Sequence, residues 1–270
     1  MSRVAFAALL SLIAFSTAAK EVNISGSTSV SHIMDVLAEQ YNQSHPDSYV
    51  AVQGIGSSAG ITMVNKGVAE LGMSSRYLTE AEYNQELIVQ PIAFDGLAVV
   101  INKTNPVNNL SREQLTQIYL GRIDNWNQVG GEDRNIAVVT RENSSGSRYS
   151  FESLLGLTKV VNQRLVSNIN PENLVVNSNS MVKTIVNHNP QAIGFVSLGS
   201  VDKSIKAISF EKVQPTSKNI SNNKYELARP FLILHNRNRL SNTGQAFIHY
   251  ITSDEGQAII KDYGYTPVKK

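Results

Sequence analysis

The sequence predicts an α/β protein built from two lobes. Short apolar stretches of strand character alternate with stretches whose apolar residues recur at helical spacing, the order expected of helices packed on a sheet. The chain of 270 residues exceeds a typical domain of about 100–200. No low-complexity linker and no internal repeat divides it, so two lobes would have to be joined by strands that cross from one to the other.

Residues 22–25 read as the first strand. Val30, Ile33, Met34, Leu37 and Tyr41 then share one face of a helix that ends before His45-Pro46. Residues 49–53 form the second strand, and Ile61 and Val64 belong to the helix after it. Residues 70–73 are a short strand, and residues 92–102 a long apolar one interrupted at Asp95-Gly96. Ser111-Arg112-Glu113-Gln114 is a capping box with Leu110 and Leu115 as its hydrophobic staple, and Gly121 stops the helix it opens. A strand over 135–140, a helix over 147–155, a helix carrying Val182, Ile185 and Val186, and a strand over 192–198 follow. A strand over 230–234 and helices over 243–252 and 254–263 complete the chain. The candidates for crossing strands are residues 97–102 and 229–234, each long and apolar after a polar or Gly break. They put lobe I at residues 20–97 and 229–270 and lobe II at residues 98–228.

The N-terminus predicts export. Met1-Ser2-Arg3 supplies a basic start, residues 4–15 an apolar run, and Ser16-Thr17-Ala18-Ala19 a small-residue cleavage site, so residues 1–19 read as a signal peptide cut before Lys20. The run is shorter than the ~20 residues of a membrane-spanning helix. With no cysteine in the chain, disulfides, thiolate chemistry and lipoprotein anchoring are excluded. The expected location is therefore the periplasm. A net charge of +2, with no clustered Lys/Arg, gives no nucleic-acid partner. The five histidines are scattered, with no pair at i, i+4 spacing, and there is no phosphate loop or dinucleotide fingerprint. No metal or cofactor is expected.

Three strand-to-helix turns share one composition: Ser25-Gly26-Ser27-Thr28-Ser29, Gly54-Ile55-Gly56-Ser57-Ser58-Ala59-Gly60 and Asn143-Ser144-Ser145-Gly146-Ser147. Glycine lets backbone approach a ligand closely, and a helix start offers unpaired N–H donors and a partial positive charge. Each hydroxyl taken alone could be a helix cap. Three such turns, with Arg141 just before the third, fit a tetrahedral oxyanion that needs donors from several directions. The alternative is a serine hydrolase, since Gly56-Ser57-Ser58-Ala59-Gly60 matches the nucleophile-elbow pattern between a strand and a helix. No downstream histidine stands in a setting that singles it out.

Across nearly the whole mature length the chain resembles the phosphate-specific ABC-transporter substrate-binding family. The likeness is carried by Val52-Gln53-Gly54-Ile55-Gly56-Ser57-Ser58 and by Leu115-Thr116-Gln117-Ile118-Tyr119-Leu120-Gly121-Arg122-Ile123-Asp124-Asn125-Trp126. It continues in Ile136-Ala137-Val138-Val139-Thr140-Arg141 with Ser145-Gly146-Ser147, and in Gln191-Ala192-Ile193-Gly194-Phe195-Val196. The resemblance implies the two-lobed type II periplasmic-binding-protein fold, each lobe a mixed sheet flanked by helices, closing over one phosphate. It implies an inner-membrane ABC permease as partner, a monomer, and no catalysis; an extracellular oxyanion scavenger or sensor of the same fold remains an alternative. It gives Thr28, Ser29, Ser57, Arg141, Ser145, Gly146 and Ser147 as phosphate ligands. Ser75 stands where well-known members carry the aspartate that accepts the proton of hydrogen phosphate. Asp95 is the candidate substitute, with Arg76 as a second cation beside it. The family's arginine often pairs with a carboxylate; Glu142, its sequence neighbour, is expected to point away.

Overall fold

The computed structural model describes residues 20–162 and 164–268. The predicted signal peptide, residues 1–19, lies outside the described residues. In chain order the elements are β1 (Lys20–Gly26), α1 (Thr28–Ser44), β2 (Ser48–Gly54), α2 (Ser57–Asn65), β3 (Leu71–Ser74), β4 (Leu87–Ile101), β5 (Asn109–Leu110) and α3 (Arg112–Tyr119). Then come β6 (Ala137–Arg141), α4 (Gly146–Leu155), β7 (Thr158–Val161), β8 (Arg164–Ser167), β9 (Leu174–Val176), α5 (Asn179–His188) and β10 (Ala192–Ser197). The chain ends with β11 (Lys206–Ala207), β12 (Ser209–Phe210), α6 (Ser217–Ser221), β13 (Ala228–Asn236), α7 (Asn242–Thr252), α8 (Asp254–Asp262) and β14 (Thr266–Pro267).

One mixed sheet runs through the molecule in the order β2-β1-β3-β13-β4-β10-β6-β9. In its first half β1 lies parallel to β2 and β3, as strand–helix–strand units require. In its second half β6 lies parallel to β10 and β9. Between the halves run the antiparallel β4 and β13.

The core divides along these two strands. Val22, Ile24, Ile33, Leu37, Met73, Ile92, Ala93, Phe231 and Phe247 belong to one buried cluster. Leu97, Val99, Ile101, Tyr119, Trp126, Phe151, Phe195 and Tyr225 belong to another, and Ala98, Val100, Val139, Val182 and Val196 to a third on the opposite sheet face. The far half of β4 thus buries both faces, odd residues on one side and even on the other, as the two-residue period dictates. On β4 the clusters change hands between Ala93 and Leu97, and at the start of β13 between Ala228 and Phe231. Full burial of such a side chain contributes about 1.5–3 kcal/mol, so each half of the sheet has the means to hold itself together.

The strand predicted over 92–102 begins at Leu87 and runs through Asp95-Gly96 without a break. The ladder continues there because Asp95 faces Arg229 and Gly96 faces Ala228 in register. The irregularity sits instead opposite Phe231 and Leu232, where the register skips Ile92 next to Pro91. A proline has no N–H to donate, so that is where a bulge costs least. The hairpin of β7 and β8 was not expected from the sequence. Its Val160 and Leu165 face solvent, so no buried periodicity marks it.

Candidate functional site

The three Gly/Ser turns meet. The first is set by Gly26, whose φ of 149° lies outside what a side chain tolerates, and whose added Cβ would stand 2.2 Å from Met73 O. Its carbonyl accepts the N–H groups of Ile55 and Gly56 at 2.7 and 2.8 Å, which stitches the first turn to the second. The Ser27 hydroxyl caps α1 by accepting from Ser29 N and Val30 N at 3.2 and 3.3 Å. The third turn arrives from the other half of the molecule. Ser58 N donates to Ser144 O at 3.2 Å, and a Cβ on Gly146 would stand 2.2 Å from Ser57 Oγ and 2.6 Å from Ser75 Oγ. Glycine lets α4 start this close to α2 with these hydroxyls in place.

Around that contact lies a buried cluster of hydroxyls. Ser29 Oγ is 3.0 Å from Ser147 Oγ, Ser27 Oγ donates to Ser75 Oγ at 2.9 Å, and Ser57 Oγ is 3.4 Å from Ser75 Oγ. Ser145 caps α4, accepting from Arg148 N at 3.2 Å. Arg141 closes β6, buried, with Nη2 donating to Thr28 Oγ1 and Asn177 O, both at 3.0 Å. Thr28, Ser29, Ser57, Ser75, Arg141, Ser145, Gly146 and Ser147 therefore occupy one place, at the N-termini of α1, α2 and α4.

Two expectations are corrected. Glu142 does not point away: it takes Arg141 Nε on Oε2 at 3.0 Å and Nη2 on Oε1 at 3.1 Å. β6 ends at Arg141, so strand alternation no longer separates the two neighbours, and the fork fits a carboxylate bidentately. Arg76 is not the cation beside Asp95. Its guanidinium pairs with Glu82 at 2.6 and 2.7 Å, donates to Ser58 Oγ at 3.0 Å and covers the Tyr149 ring at 4.7 Å.

The cation beside Asp95 is Arg229, the first residue of the expected crossing strand 229–234. Both side chains are buried, and Arg229 Nε and Nη2 donate to Asp95 Oδ2 at 3.1 and 2.9 Å. Leu198 N donates to the other oxygen at 3.1 Å. Burial pushes the Asp95 carboxyl up and the Arg229 guanidinium down from their ordinary values, and their attraction opposes both shifts. The available signal was an acid and a base on the two expected crossing strands. Asn179 was also missed; it opens α5 after the cap Ser178 and donates to Ser29 Oγ at 3.1 Å.

Chemically the place offers helix N-termini, neutral hydroxyls and guanidinium, a donor set for a compact anion. Ser58 Oγ accepts from Arg76, and none of the hydrogen bonds among the described residues joins a histidine to Ser57 or Ser58. No group of three His, Cys, Asp or Glu residues is placed to hold a metal ion among the described residues.

Residues 14–255 match the family described as the PBP superfamily domain. The phosphate-binding protein PstS of Borreliella burgdorferi is 33% identical over 254 residues, covering 93% of this chain and 91% of that one. PstS of Bacillus subtilis is 30% identical over 257 residues, 93% of this chain and 82% of its own. Among solved structures, an ABC-type phosphate transport receptor from Vibrio cholerae is 60% identical, covers 92% of this chain and all of its own, and superposes with a TM-score of 0.77. A phosphate ABC transporter substrate-binding protein from Clostridium perfringens, solved with bound phosphate, is 37% identical over 93% of this chain and all of its own, with a TM-score of 0.87. Sequence and architecture agree across nearly the full length, and the chain belongs to the PBP superfamily, within the family of phosphate-binding substrate-binding proteins.

Proposed function

We propose that the protein captures inorganic phosphate between its two lobes and delivers it to an ABC-type import permease of the inner membrane. One observation carries this: helix starts from both halves of the molecule bring Thr28, Ser29, Ser57, Ser145, Gly146 and Ser147 to the same place as Arg141. These are the proposed phosphate ligands, with the Ser75 hydroxyl beside them. The relative from Clostridium perfringens, solved with phosphate bound, supports the choice of anion. Binding requires no bond to be made or broken, and the hydroxyls are partnered with one another and with guanidinium rather than with a general base.

The proposed lobes are residues 20–97 with 229–270, and residues 98–228. The change of core clusters along β4 and β13 supports those limits, and a bend of these two strands is the proposed hinge. The protein acts as an exported monomer in the periplasm. No helix among the described residues is long and apolar enough to cross a membrane.

Calorimetric titration of the protein with phosphate and with sulfate tests the reading. Phosphate is expected to bind and sulfate to bind more weakly. Absence of phosphate binding ends the proposal, and equal affinities end phosphate selectivity.

A further inference from the structure

Arg229 is a buried cation that none of the roles above uses. It sits where β4 and β13 exchange one core cluster for another, directly opposite Asp95 in the ladder. Its Nε and Nη2 edge is clamped on Asp95 Oδ2, and the carboxylate is itself held by Leu198 N. The remaining nitrogen, Nη1, points the other way. It donates to Ser147 Oγ at 2.7 Å and reaches Ser75 O at 3.4 Å. Ser147 Oγ is in turn the atom that meets Ser29 Oγ.

Arg141 has the same arrangement. Its Nε and Nη2 edge rests on Glu142, while Nη2 also reaches Thr28 Oγ1 and Nη1 lies 3.4 Å from Asn179 Oδ1. Two guanidiniums, each with a carboxylate behind it, thus reach the same hydroxyl cluster. They are near enough for Arg141 to bear on the charge of Arg229. Like charges gathered in a poorly solvated place repel, and an anion between them removes the repulsion. An arginine that served only to clasp β4 to β13 would have no need to turn Nη1 in among the hydroxyls.

We propose that Arg229 is a second cationic anchor for the anion in this site, with Asp95 as the carboxylate that positions it. This rests on the phosphate reading above. It also changes what replaces the missing aspartate at Ser75. Asp95 does not face the anion with a free carboxylate; both its oxygens are occupied, and what it presents to the site is an oriented guanidinium. The anion is then held between Arg141 and Arg229, with hydroxyls and helix N-termini completing its shell.

The test is titration with inorganic phosphate of the wild-type protein, R229M, R229K, D95N and the double variant R229M/D95N, with circular dichroism to confirm the fold of each. R229M is expected to lose about 100-fold or more in affinity, the cost of removing a charged partner. R229K, which keeps the charge and loses the fork, is expected to lose about tenfold. D95N is expected to lose about tenfold in the wild-type background and less than about twofold in the R229M background, because a positioning residue has nothing left to position. Folded R229M or R229K within about threefold of wild type overturns the anchor, and R229K alone decides if R229M fails to fold. Equal losses from D95N in both backgrounds overturn the role of Asp95. A wild-type protein that takes up no phosphate would sink the phosphate reading itself, whatever the variants do.

Discussion

The hydroxyls of Ser29 and Ser147 lie 3.0 Å apart although 118 residues separate them in the chain. One belongs to the first turn of α1, the other to the first turn of α4, and both are buried. Ser147 also accepts from Arg229, so its hydroxyl joins a guanidinium to the helix starts of both halves. Replacing Ser147 by Ala takes one partner from Arg229 Nη1, which keeps Ser75 O, and one from Ser29 Oγ, which keeps Asn179 Nδ2, a loss of about 0.5–1.5 kcal/mol for the neutral hydrogen bond and about 1.5–3 for the charged one. Phosphate affinity is expected to fall by about tenfold or more, since 1.4 kcal/mol is one decade. Calorimetry on the folded variant measures it, and an unchanged affinity removes Ser147 from the ligands.

Gly146→Ala tests the closeness of the two helix starts. The new methyl would stand 2.2 Å from Ser57 Oγ and 2.6 Å from Ser75 Oγ, so α4 must back away or the hydroxyls must turn. Overpacking of this kind costs about 1–3 kcal/mol. The midpoint of denaturant unfolding should drop accordingly, together with phosphate affinity. A variant as stable and as tight-binding as wild type would show that the turns have room to spare.

Glu142→Gln removes the charge that holds Arg141 while keeping a side chain of the same shape. Arg141 keeps Thr28 Oγ1 and Asn177 O as partners, so the fork loosens without leaving the site. Phosphate binding is expected to weaken by about fivefold, in line with a partly exposed charge pair worth about 1 kcal/mol. Arg141→Met should cost much more. If both variants bind as wild type does, Arg141 is not a ligand.

Glu82 gives a prediction in pH. Burial alone would raise its carboxyl, but hydrogen bonds from Arg76 and Thr79 and the charge of Arg76 bring it below the ordinary 4.5. A group lowered in the folded state contributes stability that is present above its unfolded value and lost as pH falls through the folded one. Wild type should therefore exceed Glu82→Gln by about 1 kcal/mol near neutral pH, a figure reduced by the solvent that reaches the pair. The two should converge in acid. A gap that stays constant down the acid limb would mean that the ion pair is not its source.

The fold was legible because burial leaves a period. Val30, Ile33, Met34, Leu37 and Tyr41 are all buried on α1, and the capping box at Ser111 forms with both of its bonds. The hairpin at β7 and β8 escaped because its apolar residues stay in solvent and repeat nothing. In the site, the turns were legible from Gly and hydroxyl composition beside helix starts. The partners of the charges were not. Glu142 adjoins Arg141 in sequence and is expected to point away, but β6 ends there and the two pair; Arg76 is expected beside Asp95, but Glu82 holds it.

By itself, then, the sequence determined the main strands and helices, the turns that start three helices with free donors, and the family. Those follow from local chemistry: a glycine's reach, a hydroxyl at a cap, an apolar side chain every second or every third to fourth residue. Only the tertiary structure decided which charges meet. Asp95 and Arg229 are 134 residues apart, and their contact depends on the register of β4 against β13, which no local pattern encodes. That register places a guanidinium beside Ser147, and a shift of one residue would turn it to the opposite face of the sheet.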